Sequence, residues 1–143
     1  MTDTKHASST PATPEPQSSY EKGLSTRREV LGDKWVDRSL ARRTEFNTEF
    51  QELITRYAWD EIWGRPGLSR QMRRVMVLSV TMSLGRWEEF ELHVRAALQA
   101  TDGTGLSVEE LKEVLLQNAI YAGVPASNTA FNLAQDILNK LQG

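Results

Sequence analysis

Leu84-Gly-Arg-Trp-Glu-Glu-Phe-Glu-Leu-His-Val-Arg-Ala-Ala-Leu98 opens at a glycine breaker and then holds Trp87, Phe90, Val94 and Ala97 at helical spacing. At about 100° per residue these four side chains form one apolar stripe, with His93 about 40° from Ala97 and Glu89 on the flank. The stretch therefore predicts an amphipathic helix that carries a carboxylate and an imidazole four residues apart, on one face. His93 is one of two histidines in the chain, and the other, His6, lies near the N-terminus. For acid/base chemistry near neutral pH, His93 is the leading candidate, with Glu89 able to tune it. Burial would push both groups toward their neutral forms while mutual attraction favours the ion pair, so the two are expected to titrate together. The same spacing also suits an ordinary structural pair on a helix.

Outward from this stretch the pattern stays helical. Ser69 can cap a helix that runs through Val75-Met-Val-Leu-Ser-Val-Thr-Met-Ser-Leu84 to Gly85. That apolar run is far shorter than the roughly 20 residues a membrane-spanning helix needs, so no membrane segment is expected. Thr44 can cap an earlier helix whose Phe46, Phe50, Leu53, Ile54, Tyr57 and Ile62 keep an apolar stripe until Gly64-Arg-Pro-Gly67 stops it. A first helix is expected over about 21–31, ending at Gly32. Ser107-Val-Glu-Glu110 reads as a capping box for a fifth helix that ends near Gly123, and a sixth follows over about 127–140. No convincing period-2 alternation interrupts them. The expectation is an all-α domain, a six-helix bundle over residues 20–143. Residues 1–19, rich in Pro, Ser and Thr, read as a disordered tail.

Composition removes several classes of chemistry. The chain of 143 residues has no cysteine, which excludes disulfides, thiol nucleophiles, iron–sulfur clusters and cysteine-based zinc sites. With two histidines, a metal site would need mostly carboxylates, and none is expected. The net charge of −2 argues against a domain built to hold nucleic acid. No apolar signal-peptide core stands at the N-terminus, so the cytoplasm is the expected compartment. Arg70, Arg73 and Arg74 form a basic turn that suits a solvated helix face better than an anion grip. Arg27-Arg28 and Arg65 border turns near Trp63 and suit either carboxylate recognition or ordinary salt bridges. Trp59 and Trp63, four apart, suit core packing or the wall of a pocket.

Six segments in order carry a resemblance: Arg27-Arg-Glu-Val-Leu-Gly-Asp33, Val36-Asp-Arg-Ser39, Trp63-Gly-Arg-Pro-Gly-Leu68, His93-Val-Arg-Ala-Ala97, Glu110-Leu-Lys-Glu-Val114, and Ala119-Ile-Tyr-Ala-Gly-Val-Pro-Ala126 followed by Asn128. From about Tyr20 to Leu141 the chain resembles the carboxymuconolactone decarboxylase family. The resemblance implies an all-helical fold of the alkylhydroperoxidase D-like type and a homo-oligomer, commonly a hexamer. Peroxidases of that wider group use a Cys-x-x-Cys motif, and Arg86 and Glu89 stand in its place here, which excludes thiol peroxidase chemistry. The implied reaction is decarboxylation of 4-carboxymuconolactone, a small dicarboxylate lactone, to the 3-oxoadipate enol-lactone, in protocatechuate breakdown. The lactone carbonyl is its own electron sink, so no cofactor is implied. Glu89 and His93 would then be catalytic. Arg28 and Arg65 would anchor carboxylate, Trp63 would wall the departing carboxylate, and Tyr121 or Asn128 would donate to the lactone oxygen. Arg95 lies about 200° from His93 on the wheel and fits none of these tasks. A related lactone or keto-acid decarboxylase or isomerase, and a non-catalytic helical oligomer or binding module, remain as alternatives.

Overall fold

A computed structural model describes residues 14–143; the N-terminal stretch read as a tail lies mostly outside these residues. Among the described residues the chain is all-helical, with α1 (Ser19–Leu31), α2 (Asp33–Ala41), α3 (Thr48–Ile54), α4 (Arg70–Ser83), α5 (Trp87–Gln99), α6 (Val108–Tyr121) and α7 (Val124–Gln142). α3 runs on without a break as a π-helical segment, Thr55–Ile62.

Seven helices stand where six were expected, because α2 replaces what reads as a connection. Gly32, at φ +86°, ends α1 and is also the N-cap of α2, with no side-chain cap bond to advertise the new start. Only Val36 of this nine-residue helix is fully buried, with Trp35 and Leu40 part-buried beside it. Three other starts, of α1, α4 and α6, follow side-chain chemistry. Ser69 Oγ accepts from the Met72 amide at 3.1 Å. At α6, Ser107 Oγ accepts from the Glu110 amide at 3.0 Å while Glu110 accepts from the Ser107 amide at 2.8 Å, a closed capping box. A second box, Ser18 with Glu21, starts α1 earlier than the sequence reading placed it.

Two clusters make the interior. α4, α5, α6 and α7 pack around Leu78, Met82, Phe90, Val94, Leu111, Leu115, Ala130 and Ile137. α1, α2 and the π segment close over Val30, Leu31, Val36, Trp59 and Ala96. α5 belongs to both and is the wall between them. α1 lies directly on the π segment at Gly23, where any Cβ would overlap the Thr55 carbonyl oxygen.

The stripe expected to bury α3 faces outward instead. Phe46 is 98% exposed, and Phe50, Leu53, Tyr57 and Ile62 are exposed as well. Within the π segment each turn holds about one residue more than an α turn, Thr55 and Trp59 come inward, and Tyr57 and Ile62 fall out of the expected phase. Met72, Met76, Val80 and Leu84 of α4 are exposed too. No described helix is long and apolar enough to cross a membrane.

Candidate active site

The stripe read on α5 is the buried one, with Phe90 and Val94 fully enclosed and Ala97 nearly so. It carries His93 inward, to 4% exposure. The π winding then brings an aromatic wall to it. Trp63 stacks on the His93 ring, planes parallel and centroids 5.9 Å apart, and Trp59 stacks behind Trp63 at 5.4 Å. Trp63 N–H donates to the Ala58 carbonyl at 2.9 Å, the i→i−5 bond that fixes its phase.

Glu89 approaches His93 Nε2 to 3.8 Å, longer than a hydrogen bond, and its side chain is 62% exposed. A solvated carboxylate at that range does not offset desolvation. The imidazole pKa falls to about 4, first through burial and then through repulsion by the Arg74 guanidinium. His93 is therefore neutral at pH 7, and the contact with Glu89 is no ion pair there. Nδ1 is buried with no hydrogen-bond partner among the described residues.

Arg74 is the largest fully buried side chain. Its Nη1 donates to the Val30 carbonyl at 2.9 Å and its Nε to the Thr104 carbonyl at 3.0 Å, tying α1 and the loop before α6 to α4. Asp102, which accepts from Thr104, is the carboxylate nearest in effect, and burial still lowers the Arg74 pKa. The basic turn is thus no solvated face: Arg70 pairs with Glu29, Arg74 is core, and Arg73 is half-buried.

Arg73, which the sequence places on a solvated helix face, is half-buried instead. It lines a groove of about 260 Å³ with Ile62, Trp63, Met76, Val77 and Val80. Its Nη2 donates to the Arg65 carbonyl at 3.2 Å, and its Nε is buried without a partner. Burial of the wall beside Trp63 would have been the signal, and an i, i+3 offset from Arg70 alone does not reveal it.

The structure brings Trp63, Glu89 and His93 together. Arg28 is held by Asp33 at 3.1 Å and Asp37 at 2.8 Å, which raise its pKa. Its neighbour Arg27 is the buried one, donating to Ser39 Oγ at 3.0 Å and to Gln51 Oε1 at 3.4 Å. Burial lowers the Arg27 pKa and Tyr20 and Glu89 oppose it, so Arg27 is the arginine in electrostatic reach of Glu89. Arg65 is exposed on the turn that Arg73 holds. Tyr121, 80% exposed, and Asn128, also exposed, stand at the α6–α7 corner, whereas His93 is buried.

The model of the carboxymuconolactone decarboxylase family matches residues 48–136, from α3 through most of α7 and across Trp63, Glu89 and His93. The chain belongs to the carboxymuconolactone decarboxylase family. The 4-carboxymuconolactone decarboxylase of Acinetobacter baylyi is 43% identical over 85% of this chain and 88% of its own length. The nitrosuccinic acid decarboxylase of Metarhizium robertsii is 34% identical over 85% of this chain and 82% of its own. A 4-carboxymuconolactone decarboxylase of Pseudomonas putida is 56% identical over 39 residues, 27% of this chain.

Proposed function

We propose that this protein is a carboxy-lyase acting on 4-carboxymuconolactone, releasing carbon dioxide and the 3-oxoadipate enol-lactone in the cytoplasmic breakdown of aromatic acids. The kinship with the Acinetobacter enzyme over 85% of the chain supports the activity. The observation that carries the site is the His93 imidazole, buried, neutral and stacked on Trp63 beside the Arg73 groove.

The chemistry needs little from the protein. As the C–CO2 bond breaks, its electron pair flows through the conjugated C=C bond into the lactone carbonyl, giving a dienolate, and a proton then adds at the ring carbon beside that carbonyl. Trp63 offers a poorly solvated wall on which a carboxylate gives way to neutral carbon dioxide. Arg73, with Arg65 on the same turn, anchors the carboxylate that stays; Arg28, engaged by Asp33 and Asp37, is the less available of the arginines first considered. An anion seated against His93 favours the imidazolium, so the ring takes up a proton from solvent as the substrate binds and delivers it to the ring carbon, with Glu89 orienting the imidazole.

The fold is proposed to be of the alkylhydroperoxidase D-like type, in a homo-oligomer, with a hexamer favoured. The exposed apolar side chains of Phe46, Phe50, Leu53 and Tyr57 support burial against other copies. Tyr121 and Asn128, exposed in one chain, would then donate to the lactone oxygen of a neighbour's site. A second reading, decarboxylation of a different small acid, draws on the Metarhizium relative.

Turnover of enzymatically generated 4-carboxymuconolactone, followed by carbon dioxide release and ultraviolet absorbance, tests the proposal. Wild type is expected to turn over and His93→Ala to lose about 10²-fold or more. No wild-type turnover sinks the substrate; turnover undiminished in the variant sinks the role of His93.

A further inference from the structure

Arg95, which the reaction leaves unused, faces a different part of the molecule. α2 and α5 enclose a cleft of about 380 Å³, within the size range of small-ligand pockets, lined among others by Lys34, Trp35, Arg38, Leu92, Arg95 and Gln99. We propose that this cleft is a second binding site, for a small organic dicarboxylate.

Lys34 and Arg38 of α2 and Arg95 of α5 line it, and none forms an ion pair among the described residues. The carboxylate at its rim, Asp33, is already held by Arg28 at 3.1 Å. In a chain of net charge −2, such a concentration of unneutralised positive charge is local rather than general. Two guanidinium forks, Arg38 on one wall and Arg95 on the other, suit two carboxylates, each taken in bidentate fashion, while Lys34 adds a point charge. Trp35 and Leu92 supply an apolar wall for the carbon chain between them. A lone phosphate would engage the forks without using that wall. The cleft is separate from the His93 site, since Leu92, Arg95 and Gln99 lie about 100–160° around α5 from His93, and neither Trp63 nor Glu89 lines it.

Calorimetric titration of the intact protein with adipate at low salt and pH 7, with inorganic phosphate in parallel, reads this directly. Saturable adipate binding is expected, weakened about tenfold or more in Arg38→Gln/Arg95→Gln, as for the loss of charge-assisted hydrogen bonds, with phosphate much the weaker ligand. Turnover of the lactone at saturation is expected to stay within about twofold in that variant, since these residues lie outside the proposed reaction site. Should circular dichroism show the double variant unfolded, exposed Lys34→Glu carries the test, and a smaller weakening is expected there. The proposal is overturned by absent adipate saturation, by undiminished binding in the folded variants, or by phosphate binding as tightly as adipate. It is also overturned by lost turnover, which would assign the cleft to the reaction, or by a changed native mass, which would make it a contact between copies.

Discussion

Between α4 and α7 the interior is aliphatic and aromatic apart from the buried Arg74 tie, α4 and α6 start on serine caps, and the winding is regular. Across α5, the layer of α1, α2 and the π segment buries Arg27, stacks Trp59 on Trp63, and winds irregularly. One side follows the rules of stable packing and the other departs from them, and the imidazole sits at the junction. The difference teaches that the scaffold and the chemistry are divided along one helix, so damage to each side should differ in kind.

The largest effect is expected in the regular half. Phe90→Ala empties a fully buried ring position and should cost about 3–5 kcal/mol in denaturant unfolding. A loss below about 1 kcal/mol would mean that this side is no more a scaffold than the other. At the junction, the His93 pKa lies at about 4 when folded, against 6.5 as its ordinary value. The unfolded chain therefore binds the proton more readily, so the stability that neutral His93 confers is complete above pH 6.5 and drains away as pH falls toward 4. The full span is on the order of 3 kcal/mol. Urea unfolding across that window should show a shallower acid decline in His93→Gln than in wild type; parallel declines would contradict a buried neutral ring. In the irregular half, Gly23→Ala forces α1 off the Thr55 carbonyl and is expected to cost about 1–3 kcal/mol, with turnover falling further than stability explains as Trp63 shifts. Activity that tracks stability alone would separate the π segment from the site.

The regular half was legible in the sequence for a physical reason: Ser69, Ser107 and Glu110 announce helix starts with side-chain oxygens, and Phe90, Val94 and Ala97 repeat at the α-helical period. The other half hides its signals. α2 starts on Gly32, whose cap is a backbone conformation with no side chain to read. The outward turn of Tyr57 and Ile62 follows from a winding that a period of 3.6 does not anticipate. Arginine positions were legible as a cluster but not in phase: of Arg27 and Arg28 the first is buried, and of Arg73 and Arg74 one lines a groove while the other ties three segments together. The stacking of Trp63 on His93 joins residues 30 apart in sequence across the π turn, a pairing no local pattern encodes.

The π segment has one more consequence. A helix wound with i→i+5 bonds stores surplus residues, and the number stored sets the direction in which everything after it points. Trp63 meets His93 through that count rather than through the identity of its neighbours. A lineage could therefore rotate the aromatic wall, and reshape what it admits, by gaining or losing a single residue within Thr55–Ile62 while every side chain of α5 stays as it is.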